Sequence, residues 1–239
     1  MTRVVFFCLC FLTIGLSSCW DKEPIAKQYY NNEPAIFMNS SYGLDMIETG
    51  MGRFLAPELA TLSEPLSVGD LLLTTFEVDL RNQPYQDILI ASISYIKRIN
   101  SSLAKPIVAD EISDHDDLIK RMLADIKHLN NLLFFFFVHD APEEQDYTYE
   151  MVYNDSEEAS EVPTLYIRAK KTNNPDGTTI NDVMTCFGFD MTSFINQYQL
   201  SHPGSNTVSF DIMYYTGIDG NDGYKLFNDK NHISWEVDE

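Results

Sequence analysis

The strongest constraint on the fold is an alternation of apolar residues with a period of two. The clearest case places an apolar side chain at every second position: Val208, Phe210, Ile212 and Tyr214. Similar alternation runs through residues 72–80, 88–96, 147–154 and 165–169. Because successive side chains of a strand point to opposite faces of a sheet, the pattern predicts strands with one buried face. The sequence therefore predicts an all-β protein.

Turn signals and changes of pattern divide the chain after residue 34. Residues 35–110 hold several short predicted strands broken by Gly and Pro, which favours a small OB-like barrel. Residues 111–239 hold longer regular strands, including the continuous apolar run Leu132–Val138, and are typical of an antiparallel β-sandwich. Apolar residues at helical spacing within Leu118–Ile126 predict one short amphipathic helix, between the two domains or packed on them.

The N-terminus has the pattern of a secretory signal. Arg3 precedes an apolar run from Val4 to Leu16, too short to span a bilayer, and two serines follow. The segment Leu16-Ser17-Ser18-Cys19 resembles the lipobox of bacterial lipoproteins. That resemblance implies that residues 1–18 are removed by cleavage between Ser18 and Cys19, and that Cys19 carries a lipid anchored in the membrane. An ordinary cleaved signal is the alternative.

Signal cleavage and lipidation would reduce the number of cysteines that are available as free thiols. Cys8 and Cys10 would leave with the signal and Cys19 would be blocked, so Cys186 remains as the one thiol and no disulfide is expected. Cys186 lies in a strand-like apolar run without a neighbouring His or cation. We therefore expect it to be a buried core residue and not a nucleophile.

The charge of the chain limits its partners. It carries 36 Asp and Glu against 16 Lys and Arg, a formal net charge of −20. Nucleic-acid binding depends on clustered Lys and Arg, so nucleic acid is excluded as an expected partner. Residues 19–34 are read as an acidic tether, and their acids resemble the export signal of bacterial surface lipoproteins. We expect an outer-membrane lipoprotein of the cell envelope, with the periplasmic and cell-surface sides both open.

Three further segments carry a family resemblance: Thr164–Arg168, Phe187–Met191 and Val208–Asp211. With the lipobox and the small barrel, they make the chain similar to the NigD-like bacterial lipoproteins over residues 35–237. The resemblance implies an N-terminal OB-like domain followed by a β-sandwich. It brings no enzymatic activity with it, and it implies an immunity-type role.

Candidate chemical sites are few. None of the five histidines has the spacing of a zinc site, so His115, among acids, and His139, beside Asp140, are the only candidates for metal or acid–base work. A turn contributes possible calcium ligands, although it fails the EF-hand spacing: Asp219, Asn221 and Asp222. Hydrolase and nucleotide-binding signatures do not occur in the sequence. We expect no cofactor and no enzymatic activity.

The resulting prediction is a monomeric, lipid-anchored binding module. As an interaction protein, with an immunity-type role as one form of it, it would bind a protein partner through acidic segments such as Asp155–Glu161. As a glycan-binding accessory it would expose coplanar aromatic rings. As a hydrolase, the third alternative, it would hold His139 or His115 beside a carboxylate in a pocket.

Overall fold

The structure is a computed structural model that describes ten ranges of the chain. They are residues 26–40, 43–81, 83, 88–107, 117–142, 145–154, 162–173, 180–217, 223–227 and 232–236. The predicted signal 1–18 and the lipidation site at Cys19 lie outside these ranges. No helix within them is long and apolar enough to cross a membrane.

The first five strands close into a barrel in the order β1-β2-β3-β5-β4. The strands are β1 (Lys27–Asn39), β2 (Asp45–Thr49), β3 (Gly52–Leu55), β4 (Leu71–Asp79) and β5 (Leu89–Arg98). A 3-10 helix, Pro57–Thr61, follows β3. The alternating residues of β4 point into the barrel, where Leu72, Phe76 and Val78 are almost completely buried.

The barrel does not occupy the predicted range 35–110. It begins at Lys27, so residues 27–34 belong to β1 and not to a tether that extends to residue 34. It ends at Arg98, because Asn100–Ile107 forms a strand of the second sheet. The sequence signal failed at both ends because polar residues of β1 face solvent and the turn between the two domains contains no Gly or Pro.

The remaining strands form one ten-stranded sheet, in the order β14-β13-β11-β10-β6-β12-β9-β7, with β15 beside β13 and β8 beside β9. These strands are β6 (Asn100–Ile107), β7 (Arg121–Met122), β8 (Lys127–Leu129), β9 (Leu132–Ala141), β10 (Tyr147–Asn154), β11 (Thr164–Lys171), β12 (Ile180–Asp190), β13 (Thr207–Tyr215), β14 (Tyr224–Leu226) and β15 (Ile233–Glu236). The sheet curls around a single core rich in Phe and Tyr. The all-β class, with a small barrel before a larger sheet structure, is confirmed.

Strand direction in this sheet differs from the prediction of an antiparallel sandwich. β6 is parallel to both its neighbours, β10 and β12, and β11 is parallel to β13. The reason is topological: β6 arrives from the barrel and enters the middle of a sheet whose other strands come much later in the chain. Alternation reports which face of a strand is buried, and it carries no information about the direction of the neighbouring strand.

The predicted amphipathic helix at Leu118–Ile126 is wrong. This segment is extended and contributes the two residues of β7. Its backbone N–H groups donate hydrogen bonds to other segments of the chain. The N–H of Ile119 donates to the carbonyl of Tyr215, and the N–H of Leu123 donates to the carbonyl of Phe136. Hydrogen bonds to β9 and to Tyr215 at the end of β13 satisfy these groups and outweigh the helical spacing of the side chains, since local propensity is a weak term against tertiary hydrogen bonding.

The helix that does form, α1 (Thr192–Ser201), was not predicted. The carboxylate of Asp190 accepts a hydrogen bond from the backbone N–H of Thr192 at 2.9 Å, where the helix begins. Phe194 and Ile195 bury its inner side in the core of the large sheet. The signal in the sequence that indicates this helix is an Asp just before its start, followed by apolar residues at helical spacing: Met191, Phe194, Ile195 and Tyr198.

The barrel and the sheet share a separate apolar cluster. Leu73 of β4 and Ile99, between β5 and β6, pack there against Phe134 and Phe136 of β9 and Cys186 of β12. Phe134 is completely buried. The two halves are therefore joined by packed apolar side chains and not only by the chain.

Candidate functional site

A cleft of about 750 Å³ lies beside this shared cluster, between the outer wall of the barrel and the large sheet. It exists because β6 begins only at Asn100, whereas β12 extends back to Ile180 on one side of it. The edge of β12 before Phe187 therefore faces the cleft where β6 would otherwise continue. The volume falls in the range of about 300–1,000 Å³ that is usual for small-molecule sites.

The barrel wall of the cleft is built mainly by the end of β5. Tyr95 and Lys97 are two residues apart and point outward from the barrel on the same side. Leu73, the partner of Lys97 in β4, lies between them and the shared cluster. Arg98 also borders the cleft, but its guanidinium is held by the carboxylates of Glu64 at 2.9 Å and Asp70 at 3.3 Å.

The sheet wall is built by β12 and by the beginning of β10. Met184 and Cys186 lie on the face of β12 that is turned toward the barrel, and Met184 is 45% exposed. Thr148 projects from β10 beside them, next to Asp146 in the preceding turn. The floor is thus apolar and the rim is polar.

Two β-bulges aim residues into the cleft from opposite walls. Asn32 interrupts the pairing of β1 with β4, and Asp182 interrupts the pairing of β12 with β9. Both are non-glycine residues with positive φ, 50° and 62° respectively. This left-handed conformation is uncommon for such residues, and bulges of this kind are enriched beside binding sites.

The charges of the cleft are unevenly neutralised. Asp182 lies 3.1 Å from the Nζ of Lys120, whereas Asp146 accepts a hydrogen bond from the neutral amide of Asn173 at 3.1 Å and has no cationic partner among the described residues. Lys97 makes no ion pair with any residue that the structure describes. Lys97 is therefore the one cation in the lining whose charge is not matched by a described carboxylate.

Four polar side chains of the lining also lack hydrogen-bond partners among the described residues. They are Asn32, Asn100, Thr148 and Thr172, all exposed. Together with Lys97 they present donors and acceptors that solvent or a ligand can satisfy.

Cys186 lies at the floor of the cleft and is confirmed as a buried, free thiol with 8% exposure. Burial raises its pKa to about 12, although the charge of Lys97 acts in the opposite direction. At neutral pH the group is a thiol and not a thiolate, so it is not an activated nucleophile.

His139 is placed in the core of the large sheet and not in the cleft. Its Nδ1 lies 2.9 Å from the carbonyl oxygen of Leu118 and therefore carries the proton, and its Nε2 accepts the hydroxyl of Tyr149 at 2.7 Å. The ring stacks on Tyr147 with centroids 3.7 Å apart. Burial lowers the pKa of His139 to about 4. The neighbouring Asp140 forms an ion pair with Lys120 at 2.9 Å, so the His–Asp pair considered as a candidate from the sequence does not form.

The other predicted sites lie outside the described residues. They are Ser18 and Cys19, His115, the segment Asp155–Glu161, and the turn with Asp219, Asn221 and Asp222. Within the described ranges, no group of three or more His, Cys, Asp or Glu side chains is arranged to hold a metal ion.

The aromatic residues are mostly internal. Among the described residues the strongly exposed rings are Tyr29, 67% exposed, and Tyr95, 46% exposed. They belong to β1 and β5, and they form no stacked pair in this part of the chain. The coplanar platform expected of a glycan-binding face is not present in the described ranges; of the rings that line the cleft, Tyr95 is exposed and Tyr147 and Phe187 are buried.

The residues that define the cleft are not among the site residues predicted from the sequence. In the sequence, Tyr95 and Lys97 have the pattern of ordinary outward-facing residues of a strand. Thr148 has the pattern of a solvent-facing residue of a different strand. The available signal was the pair Asn31-Asn32 inside an otherwise regular strand, since Asn tolerates positive φ and indicates a bulge.

This barrel-and-sheet arrangement is that of a group of solved proteins from Bacteroides and Parabacteroides. A NigD-like immunity protein from Bacteroides caccae matches with a TM-score of 0.58 and 11% identity, over 90% of this chain and 99% of that chain. A protein from Parabacteroides merdae matches with a TM-score of 0.64 and 16% identity, over 87% and 99% of the two chains. A predicted lipoprotein from Bacteroides fragilis matches with a TM-score of 0.52 and 11% identity, over 88% and 97%.

These matches confirm the resemblance to NigD-like lipoproteins at the level of the fold. No protein-family model and no curated protein matches the sequence. At identities of 11–16% the likeness establishes how the chain folds.

Proposed function

We propose that this chain is a lipid-anchored protein of the cell envelope that acts by binding a ligand in the cleft between the barrel and the sheet. The observation that carries the proposal is the cleft itself. It combines an apolar floor, a partly exposed ring and polar side chains whose hydrogen bonds are unmade among the described residues. These are the components of a recognition site.

A binding role is favoured over catalysis by the state of the two groups that could act as catalysts. His139 is buried, neutral and held by Leu118 and Tyr149. Cys186 faces the cleft as a protonated thiol without a base beside it among the described residues. A nucleophile needs a base within hydrogen-bond reach, and these two groups are not paired.

Envelope anchoring is supported by the lipobox-like segment ending at Cys19 and by the fold shared with a predicted lipoprotein. Lys27, the first residue of β1, follows Cys19 by eight positions. A chain spans at most about 3.3–3.6 Å per residue, so this segment would hold the barrel within about 30 Å of the lipid. Anchoring in the outer membrane is part of the proposal, on either its periplasmic or its outer side.

An immunity-type role, with a protein partner, is the second candidate. It is favoured by the fold shared with the NigD-like immunity protein of Bacteroides caccae. In that case the partner would contact the rim of the cleft and insert a side chain or terminus into it.

The test is to block the cleft. Thr148→Trp fills it from an exposed position of β10, and Leu200→Trp adds the same ring to the exposed surface of α1, where Leu200 is 85% exposed. Envelope extract and a glycan array would be probed with the wild type and both variants. We expect the wild type and Leu200→Trp to retain a ligand that Thr148→Trp loses. Equal binding by all three proteins would refute a role for the cleft.

A further inference from the structure

The pattern of groups in the cleft indicates a class of ligand. We propose that the cleft binds an acidic saccharide, with the carboxylate of a uronic acid on Lys97 and the face of a sugar ring on Tyr95. This inference rests on the proposed function and specifies the ligand of the same site.

Lys97 supplies the positive charge that would attract an acidic ligand. In a chain of net charge −20, an ammonium group without a described carboxylate partner stands at the cleft. Arg98 is not available to a ligand in the same way, because Glu64 and Asp70 already hold it. A single ammonium matches the single charge of a carboxylate, whereas phosphate sites typically use several cations or a bidentate Arg.

The neighbouring groups favour a sugar over a simple organic acid. Asn32 and Asn100 offer amide donors and acceptors, and Thr148 and Thr172 offer hydroxyls, each without a described side-chain partner. Asp146 on the sheet wall adds a carboxylate that can accept hydrogen bonds from hydroxyl groups. Donors and acceptors spread around the rim suit a ligand that carries hydroxyls on all sides.

Tyr95 supplies the apolar contact. It lies two positions from Lys97 on the same outward side of β5, so its ring and the ammonium face one ligand together. An aromatic face packs against the C–H groups of a sugar ring and leaves the hydroxyls free to bond at the rim. The adjacent ring and cation therefore specify a sugar with a carboxylate on or beside the stacked ring.

The test uses two disaccharides that differ by one carboxylate, cellobiouronic acid and cellobiose. Both would be titrated calorimetrically into the full lipidated protein in detergent, at low and at high salt. We expect cellobiouronic acid to bind about tenfold more tightly at low salt, which corresponds to about 1.4 kcal/mol, and the difference to shrink as salt screens the exposed ammonium. Equal affinity for the two sugars, or binding of neither, would overturn the proposal.

Variants separate the roles of the two residues. Lys97→Met should reduce the affinity for cellobiouronic acid to that for cellobiose, and Tyr95→Ala should weaken both sugars. Lys225→Met is the matched control, an exposed lysine of β14 outside the cleft, and should change neither affinity. If Lys97→Met binds cellobiouronic acid as the wild type does, the charge assignment is wrong.

A dipeptide distinguishes this inference from the proposed function. If Ala-Ala binds in a manner that requires Lys97 while neither sugar binds, the cleft is a binding site and the saccharide assignment is overturned. If binding of cellobiouronic acid survives Thr148→Trp unchanged, the ligand lies elsewhere and the proposed function of the cleft fails as well.

Discussion

The Nζ of Lys127 on β8 lies 3.2 Å from the Oε2 of Glu33 on β1, so an ion pair joins the large sheet to the barrel. Glu33 is only 8% exposed, and its backbone carbonyl also accepts the hydroxyl of Thr74 at 2.8 Å. Burial works against the charge of Lys127, but the carboxylates of Glu33 and Asp125 outweigh it and raise its pKa. With the shared apolar cluster, this pair fixes the relative position of the two walls of the cleft.

Removing one partner of this pair should weaken the junction. Glu33→Ala leaves the ammonium of Lys127 partly buried without its main partner, and we expect a loss of about 1–3 kcal/mol in the free energy of unfolding. Urea denaturation at pH 7 would measure it. The control is Arg53→Ala, which breaks an exposed pair with Glu48 and should cost less than about 0.5 kcal/mol. Similar losses for the two variants would contradict the role assigned to the junction pair.

Stability should depend on pH through His139. Its pKa is about 4 in the folded protein, against 6.5 for an unperturbed histidine, so the unfolded chain binds the proton more readily. The contribution is complete above pH 6.5, is lost progressively as the pH falls toward 4, and amounts to about 3 kcal/mol at most. Urea titrations at pH 7, 5.5 and 4 would follow it.

The many carboxylates of the chain also titrate in this range, so the comparison is with His139→Gln. This variant should be less stable than the wild type at pH 7, because the hydrogen bonds to Leu118 and Tyr149 are disturbed. The difference between the two proteins should narrow as the pH falls. A difference that stays constant from pH 7 to 4 would show that His139 does not carry this dependence.

Gly188 in β12 should not tolerate a side chain. A Cβ atom there would lie 2.9 Å from a ring carbon of Phe134, which is completely buried in the cluster shared by barrel and sheet. Gly188→Ala should therefore cost about 1–3 kcal/mol by overpacking, measured by the urea midpoint. Phe134→Leu removes Cε1, the atom of the shortest contact, so the double variant should be more stable than the sum of the two single losses predicts. Strictly additive losses would rule out this contact as the cause.

Membrane attachment should depend on Cys19. Cys19→Ala removes the thiol that would carry the lipid, and we expect the variant to appear in the soluble fraction after cell lysis while the wild type sediments with membranes. Ser17→Ala keeps a small residue before the cleavage site and should leave the wild-type distribution unchanged. Tight membrane association of Cys19→Ala would contradict the lipid anchor.

Alternation of apolar residues predicted the strands correctly where one face of the strand is buried and the other is more exposed. In β13, Val208, Phe210 and Ile212 are buried and the residues between them are half-exposed, so the pattern in the sequence is the pattern of burial. The run Leu132–Val138 also behaves as predicted, because one face of β9 enters the core of the large sheet and the other enters the cluster shared with the barrel.

The segment Leu118–Ile126 shows where such patterns fail. Ile119 is completely buried and Leu118 is 56% exposed, so its apolar residues do not form one buried stripe. Its hydrogen bonds go to residues 13 or more positions away, such as Phe136 for Leu123 and Tyr215 for Ile119. Spacing between neighbours in sequence cannot report partners at such distances.

The sequence by itself determined that strands would dominate and that Cys186 would be buried, and it predicted the lipid anchor at Cys19. Each of these depends on residues close together in the chain, where side-chain period and local motifs act. Only the tertiary structure decided the parallel neighbours of β6 and the cleft beside them. Asn32, Lys97, Thr148 and Met184 come from four separate strands, and they meet because β6 leaves the barrel and enters a sheet made of later strands. Long-range pairing sets that geometry, and no local pattern encodes it.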